Sequence, residues 1–288
     1  MAKLNRIVLM GSPDYAVPTL MALHKDFPEK IVGVLTQPDR PTGRHRYTLT
    51  PTPIKTAALA CNIPTFTPGS KDEIHEILHQ LNPDLVIVIA YGRILSEKTV
   101  TQFYCINAHG SLLPAYRGAS PVQSSLLNLD KTTGVSLIKM DATMDTGPIL
   151  LTESFEIPDE MHFTPLFKIL SDLSAKLCLK FIKDCWLNDK IILHNQDHTK
   201  ATYCKKLSRK DAELTKEASI DIWWGKIKAF SGNISAWLAL KNGSIKIIEA
   251  TRKNHVLIPT IVQPEGKKPM TYKDYLSGNT EELCLPPC

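Results

Sequence analysis

The stretch INAHGSLLPAYRGASP spans Ile106–Pro121. It opens on the end of an apolar run, sets Asn107 and His109 two residues apart, and passes at once into a loop carrying Pro114 and Arg117. Residues two apart on a strand point to the same face. If Tyr104–His109 is a buried strand, an amide and an imidazole stand together at its carboxyl end. Both can donate to one oxygen, which suits an oxyanion whose charge develops during reaction. The plainer reading is a pair of polar residues capping a loop.

Working outward, Arg6–Gly11 (RIVLMG), Lys30–Thr36 (KIVGVLT) and Asp84–Ala90 (DLVIVIA) are apolar at consecutive positions, the pattern of buried parallel strands. Ile63–Phe66, Gly134–Met140 and Ile149–Ile157 read as further strands. Helices are expected at 15–26, 51–61, 71–81 and 119–128, with a long one within 162–187. This βαβ rhythm predicts an α/β, Rossmann-like, doubly wound, mostly parallel sheet. Ligands in such sheets bind beyond the carboxyl ends of the strands, where strand order reverses. Asn107 and His109, Gly11–Asp14 and Ala90–Leu95 all fall at such ends.

Residues 188–207 read as a polar linker between a domain over 1–187 and a smaller one over 208–288. In the latter, Ile220–Ser231 reads as a helix. Trp237–Lys241 and Ser244–Ala250 read as a hairpin closed by Asn242-Gly243.

The first strand is followed by GSPDYA rather than G-x-G-x-x-G, and no P-loop motif occurs, which argues against a dinucleotide or a P-loop nucleotide. There is also no G-x-S-x-G elbow to support a serine hydrolase built on Ser111, His109 and Asp145. The 7 cysteines are scattered without a C-x-x-C, so the expectation is reduced thiols, no zinc site and a cytoplasmic setting. No apolar run is long enough for a membrane span, and no signal peptide is evident. The net charge of +5 is uneven. Residues 200–288 carry 15 Lys/Arg against 9 Asp/Glu and the remainder is near neutral, pointing to a polyanionic partner or merely to a soluble basic surface.

A carboxylate beside His109 would hold the ring and move a proton. MDATMDTGP (Met140–Pro148) offers Asp141 and Asp145, and spacing does not choose between them.

N-x-H-x-S-L-L-P from Asn107 to Pro114, then Arg117-Gly118, then Asp145-Thr146-Gly147 resemble the formyltransferase family that uses 10-formyltetrahydrofolate. TQPDRPTGR (Thr36–Arg44), PTPIK (Pro51–Lys55), AYGRIL (Ala90–Leu95) and QPEGKKPM (Gln263–Met270) are similar to its tRNA-acting branch. The resemblance implies a catalytic trio of Asn107, His109 and Asp145. It also implies folate contacts from Ser111, Leu112, Leu113 and Pro114 and from the turn carrying Arg93, Ile94 and Leu95. The loop Asp39–Tyr47, with Arg40, Arg44 and Arg46, would reach the tRNA acceptor end, Arg44 foremost. The implied reaction moves a formyl group from 10-formyltetrahydrofolate, as co-substrate and without a metal, to the amino group of methionyl-initiator tRNA. The enzyme would be a cytoplasmic monomer with a tRNA-contacting C-terminal domain. Alternatives with the same centre are a sugar-nucleotide N-formyltransferase, a formyltetrahydrofolate hydrolase and a non-catalytic RNA- or folate-binding relative. Between IKIIEA and QPEGKKPM there is room for about one strand, so the C-terminal β-rich domain is expected to be a shortened barrel.

Overall fold

The computed structural model describes residues 4–42, 48–232, 234–241, 243–253, 256–278 and 283. β1 (Ile7–Gly11) leads through α1 (Val17–Asp26) to β2 (Ile31–Leu35). A short hairpin of β3 (Arg40–Thr42) and β4 (Thr48–Thr50) follows, then α2 (Pro53–Ala60), β5 (Thr65–Phe66), α3 (Lys71–Leu81) and β6 (Leu85–Ile89). α4 (Glu97–Gln102) enters β7 (Cys105–His109), and β8 (Arg117–Gly118), α5 (Pro121–Leu127), β9 (Thr132–Lys139) and β10 (Ile149–Glu156) succeed it. α6 (Phe163–Lys180) widens into a π-helical turn over Phe181–Trp186 before β11 (Tyr203–Cys204). The chain closes with β12 (Glu213–Leu214), α7 (Ile220–Ala229), β13 (Ala236–Leu240), β14 (Gly243–Lys253), β15 (Val256–Pro264), β16 (Met270–Thr271) and α8 (Tyr272–Gly278).

Seven strands form one sheet in the order β10-β9-β7-β6-β1-β2-β5. The pairs β1–β2, β2–β5, β1–β6 and β6–β7 are parallel. β7–β9 is antiparallel, with His109 opposite Ser136 and Ile106 opposite Lys139. The chain winds from β1 to β2 and β5 on one side, then crosses to β6 and β7 on the other. The order therefore reverses between β1 and β6, the expected place for a ligand crevice. Every residue of β1 and of β6 is buried, which is why neither alternates apolar with polar.

Contacts divide the chain into two compact units. One comprises Met1–Arg117, Gly134–Ser154 and Lys168–Tyr203; the other comprises Gly118–Thr133, Phe155–Phe167 and Cys204–Cys288. The second unit holds a five-stranded sheet, β12-β13-β14-β15-β16, antiparallel except at β12–β13. The hairpin expected from Asn242-Gly243 is present, with Leu240 opposite Gly243; Asn242 itself lies outside the described residues. Trp223, Ile227, Leu238, Ile245, Ile247 and Val262 build this unit's core. The indole N–H of Trp223 donates to the Thr215 carbonyl at 2.8 Å, so the buried ring leaves no orphan donor. α5 and α7 approach closely because position 225 is glycine: a Cβ there would lie 2.6 Å from the Leu127 carbonyl oxygen.

The short strands β8, β11, β12 and β16 and the helix α8 were not anticipated, nor were α4 and the β3–β4 pair. α4 has only six residues, too few to show an apolar period, and is announced only by Ser96, whose Oγ accepts from the Thr99 N–H at 3.3 Å. The β3–β4 pair lies inside the basic stretch and is a ladder of main-chain bonds that side-chain polarity does not reveal.

Candidate active site

β7 delivers Asn107 and His109 to one face, and the loop after β9 brings the carboxylate. Because β9 runs antiparallel to β7, that loop starts level with Cys105, where the Met140 N–H donates to the Cys105 carbonyl at 2.9 Å. It then returns over the sheet to Asp145. Asn107 Nδ2 donates to Asp145 Oδ1 at 3.2 Å, and His109 Nδ1 lies 3.6 Å from Asp145 Oδ2. That last distance is longer than a hydrogen bond but short enough for strong attraction when the ring is charged. The side chains of His109 and Asp145 are only 6% and 13% exposed, so water screens the pair little.

The other ring nitrogen fixes the tautomer. His109 Nε2 sits 2.8 Å from the Tyr116 carbonyl, which can only accept, so Nε2 carries a proton. In the neutral ring Nδ1 is bare, facing Asp145. In the charged ring Nδ1–H is shared between Asp145 and any oxygen held beside it.

Asp141 is engaged elsewhere. Its carboxylate accepts from the Thr143 N–H and hydroxyl and from the Thr146 hydroxyl at 2.8–3.2 Å, stapling its own exposed loop. Asp145 instead adopts a left-handed backbone, φ +55°, a region that Asp tolerates better than most residues. Gly147 allows the loop to fold back, since a Cβ there would lie 1.8 Å from the Lys139 carbonyl oxygen. On β7 itself, burial pushes the Cys105 thiol up to about 12, which leaves it as packing.

The Ser111–Pro114 turn follows β7 directly, with the Ser111 N–H on the His109 carbonyl at 2.9 Å and a cis Leu113–Pro114 peptide. Ser111 is fully buried and its hydroxyl donates to the Ala115 carbonyl at 2.6 Å. Leu113 is buried as well, while Leu112 and Pro114 are half-buried. Ser111 and Leu113 therefore offer only main chain to a ligand, whereas Leu112 and Pro114 keep accessible side-chain surface.

At the switch point the loops after β1, β2 and β6 are laced together. The Ser12 hydroxyl and Gln37 Nε2 both donate to the Tyr91 carbonyl at 3.1 Å. Arg93 donates from Nε to Gln37 Oε1 at 3.1 Å and from Nη1 to the Pro68 carbonyl at 2.8 Å. Arg93 is thus a brace of the turn. Leu95 is buried in the core below, and Tyr91, also buried, has its phenol pushed up to about 12 by desolvation. Ile94 stays 56% exposed, and a Cβ on Gly92 would meet nothing within 4 Å. An apolar side chain beside open main chain fits the flat, hydrogen-bonding heterocycle of a folate.

Thr36 and Thr52 share a hydroxyl–hydroxyl bond of 2.7 Å, and the Lys55 ammonium grips both oxygens of Asp39 at 2.8 and 2.9 Å. Thr36–Thr42 and Pro51–Lys55 are therefore tied into one structural feature beside the β3–β4 pair. Arg40 is exposed on β3; Arg44 and Arg46 lie outside the described residues.

Sequence reasoning missed Gln196, placed in the polar linker but 6% exposed, and gave Arg117 no role although it is 1% exposed. Neither has a periodic or compositional signal. Among the described residues no group of three or more His, Cys, Asp or Glu is placed to hold a metal, and no helix is long and apolar enough to cross a membrane.

An amide, an imidazole and a carboxylate thus converge at the carboxyl end of β7, beside the switch point of a mostly parallel α/β sheet, an arrangement suited to a group-transfer enzyme. The chain belongs to the formyl transferase family, whose model matches residues 5–180. It is 41% identical over 230 residues to a methionyl-tRNA formyltransferase of Kosmotoga olearia, covering 78% of this chain and 73% of that protein. With the methionyl-tRNA formyltransferase of Nitratiruptor sp. it is 36% identical over 301 residues, covering 95% and 96%. Two solved structures share the fold. One is a methionyl-tRNA formyltransferase from Clostridium thermocellum (TM-score 0.63, 16% identity, 91% of this chain and 99% of that one). The other is an N-formyltransferase from Helicobacter canadensis in complex with folinic acid and dTDP-3-aminofucose (TM-score 0.68, 19% identity, 86% and 88%).

Proposed function

We infer that this chain transfers the formyl group of 10-formyltetrahydrofolate to the amino group of methionyl-initiator tRNA. The observation that carries the chemistry is the meeting of Asn107, His109 and Asp145 at 3.2 and 3.6 Å. The acceptor follows the near full-length relatives, all methionyl-tRNA formyltransferases. It also suits the excess of cations over residues 200–288.

The neutral amine attacks the formyl carbon, forming the new N–C bond as the carbonyl pair moves onto oxygen. One N–H of Asn107 is held by Asp145 and the other is free to donate to that oxygen. When the His109 ring is charged, it donates to that oxygen from Nδ1. Asp145 takes the proton that the amine loses, directly or through one water. The intermediate collapses when the C–N bond to the folate breaks and that nitrogen regains a proton, so donor and acceptor nitrogen exchange one proton for one formyl group. Ile94, Leu112, Pro114 and open main chain at Gly92 would hold the folate; the Asp39–Tyr47 loop and the basic C-terminal unit would hold tRNA in the cytoplasm.

The test incubates the protein with 10-formyltetrahydrofolate and charged initiator tRNA, with tRNA omitted, and with an amino-sugar nucleotide in its place. The expected result is formyl transfer with tRNA alone. Folate turnover without tRNA, or transfer to the sugar, contradicts the assignment.

A further inference from the structure

Arg117 is a guanidinium at 1% exposure whose side-chain partners are an amide, an imidazole and a phenol. Nε and Nη2 donate to Gln196 Oε1 at 3.2 and 2.7 Å, Nη2 meets His198 Nδ1 at 3.0 Å, and Nη1 reaches the Tyr203 hydroxyl at 3.4 Å. Among the described residues no carboxylate pairs with it. A buried charge without a counter-ion is costly, so a stability role alone does not account for it.

What Gln196 does with its other end supplies the account. Its Nε2 donates to the Asp145 carbonyl at 2.9 Å and to the Gly147 carbonyl at 2.7 Å. The guanidinium polarises the Gln196 carbonyl, which strengthens both outgoing N–H bonds. One of those bonds falls on the carbonyl of the left-handed Asp145 itself and the other two residues on, bracing a conformation that persists only when its surroundings over-determine it. The neighbouring residue serves the other partner, because the Tyr116 carbonyl holds His109 Nε2. Thr202 sets the register of both: its hydroxyl accepts from the Tyr116 N–H at 2.8 Å and its carbonyl from the Arg117 N–H at 2.9 Å. One dipeptide, backed by residues 196–203, thus grips the imidazole through Tyr116 and the carboxylate loop through Arg117.

We propose that Arg117 and Gln196 are positioning residues for the formyl transfer: a buried guanidinium–amide clamp fixes the main chain of Asp145 and Gly147 so that the Asp145 carboxylate faces Asn107 and His109. The clamp rests on the formyl-transfer reading.

Gln196→Glu tests it. Glutamate keeps an acceptor for Arg117 and gains charge complementarity, but loses both donors to the loop. At saturating substrates kcat is expected to fall by about 10²-fold, the scale of an ångström-level misplacement, with both KM values within about twofold. The pH profile of kcat should also shift, since the His109–Asp145 pair is no longer held at its native separation. A core variant of equal thermal destabilisation should leave that profile in place. Arg117→Ala is the second arm, with partial recovery of kcat expected on adding methylguanidinium. An active wild type with unchanged kcat and pH profile in Gln196→Glu overturns the clamp, as does Arg117→Ala that is fully active without the additive. A wild type that transfers no formyl group to methionyl-tRNA instead overturns the underlying reaction, before any variant is compared.

Discussion

Asn107 and His109 share a face because a strand alternates, and Asp145 reaches them because glycine two residues on lets its loop double back. In the proposed mechanism Asn107 offers one amide hydrogen to the developing oxyanion while Asp145 holds the other. Removing a donor of this kind typically costs about 2.7–4 kcal/mol of barrier, so Asn107→Ala should lower kcat by about 10²–10³-fold, measured at saturating folate and tRNA. Gly147→Ala should be worse than its size suggests. The new Cβ would overlap the Lys139 carbonyl, so the loop must shift and take Asp145 with it. The expected outcome is loss of turnover together with a lower melting temperature, read by thermal denaturation. Asn107 and His109 were legible in the sequence because period 2 and a following proline loop are local signals. Spacing alone did not choose Asp145 over Asp141, and only the family resemblance pointed to Asp145; the hydrogen bonds show Asp141 satisfying its own loop while Asp145 faces Asn107 and His109. Gln196 was invisible for the same reason, a polar residue whose burial is decided by contacts 49 to 79 positions away.

At the scale of elements, consecutive apolar residues identified β1, β2, β6 and β7 within a residue or two, because parallel strands covered on both faces carry no polar alternation. α4 and the β3–β4 hairpin escaped because short elements depend on caps and main-chain pairing rather than on periodicity. One cap gives a pH-dependent test. Ser208 and Asp211 form a reciprocal box, with the Ser208 N–H and hydroxyl on Asp211 Oδ2 at 2.8 and 2.7 Å and Lys205 Nζ on Oδ1 at 2.6 Å. Lys205 foremost, then Ser208, holds the Asp211 carboxyl well below the usual carboxylate range. A depressed folded-state value stabilises the ionised form, so the contribution is complete above the unfolded value of about 3.9 and is lost as pH falls through the folded one. Asp211→Asn should therefore lower the melting temperature at neutral pH, and the gap to wild type should close progressively below about pH 4. A gap that stays constant down to the acid limit would count against the box.

For the molecule as a whole, the charge asymmetry is the property that matters. The central sheet unit needs few net charges to handle a folate, whereas residues 200–288 hold most of the excess cations. Binding a polyanion through Lys and Arg releases counterions and weakens steeply with salt. The KM for tRNA should therefore rise by about tenfold or more between about 50 and 200 mM salt, with the folate KM moving far less. Arg44→Ala should raise the tRNA KM while leaving folate affinity intact; equal loss of both would remove the basic loop from tRNA recognition. The two-unit organisation was only partly readable, because 118–133 and 155–167 join the C-terminal unit by contacts rather than by position in the chain.

The account depends most on His109 as the group that both steadies the formyl oxygen and partners Asp145. Single-turnover formyl transfer, with enzyme and folate in excess over charged initiator tRNA, reads that step without product release. His109→Ala is expected to slow it by about 10²–10⁴-fold with folate affinity unchanged. A rate within threefold of wild type would contradict the account.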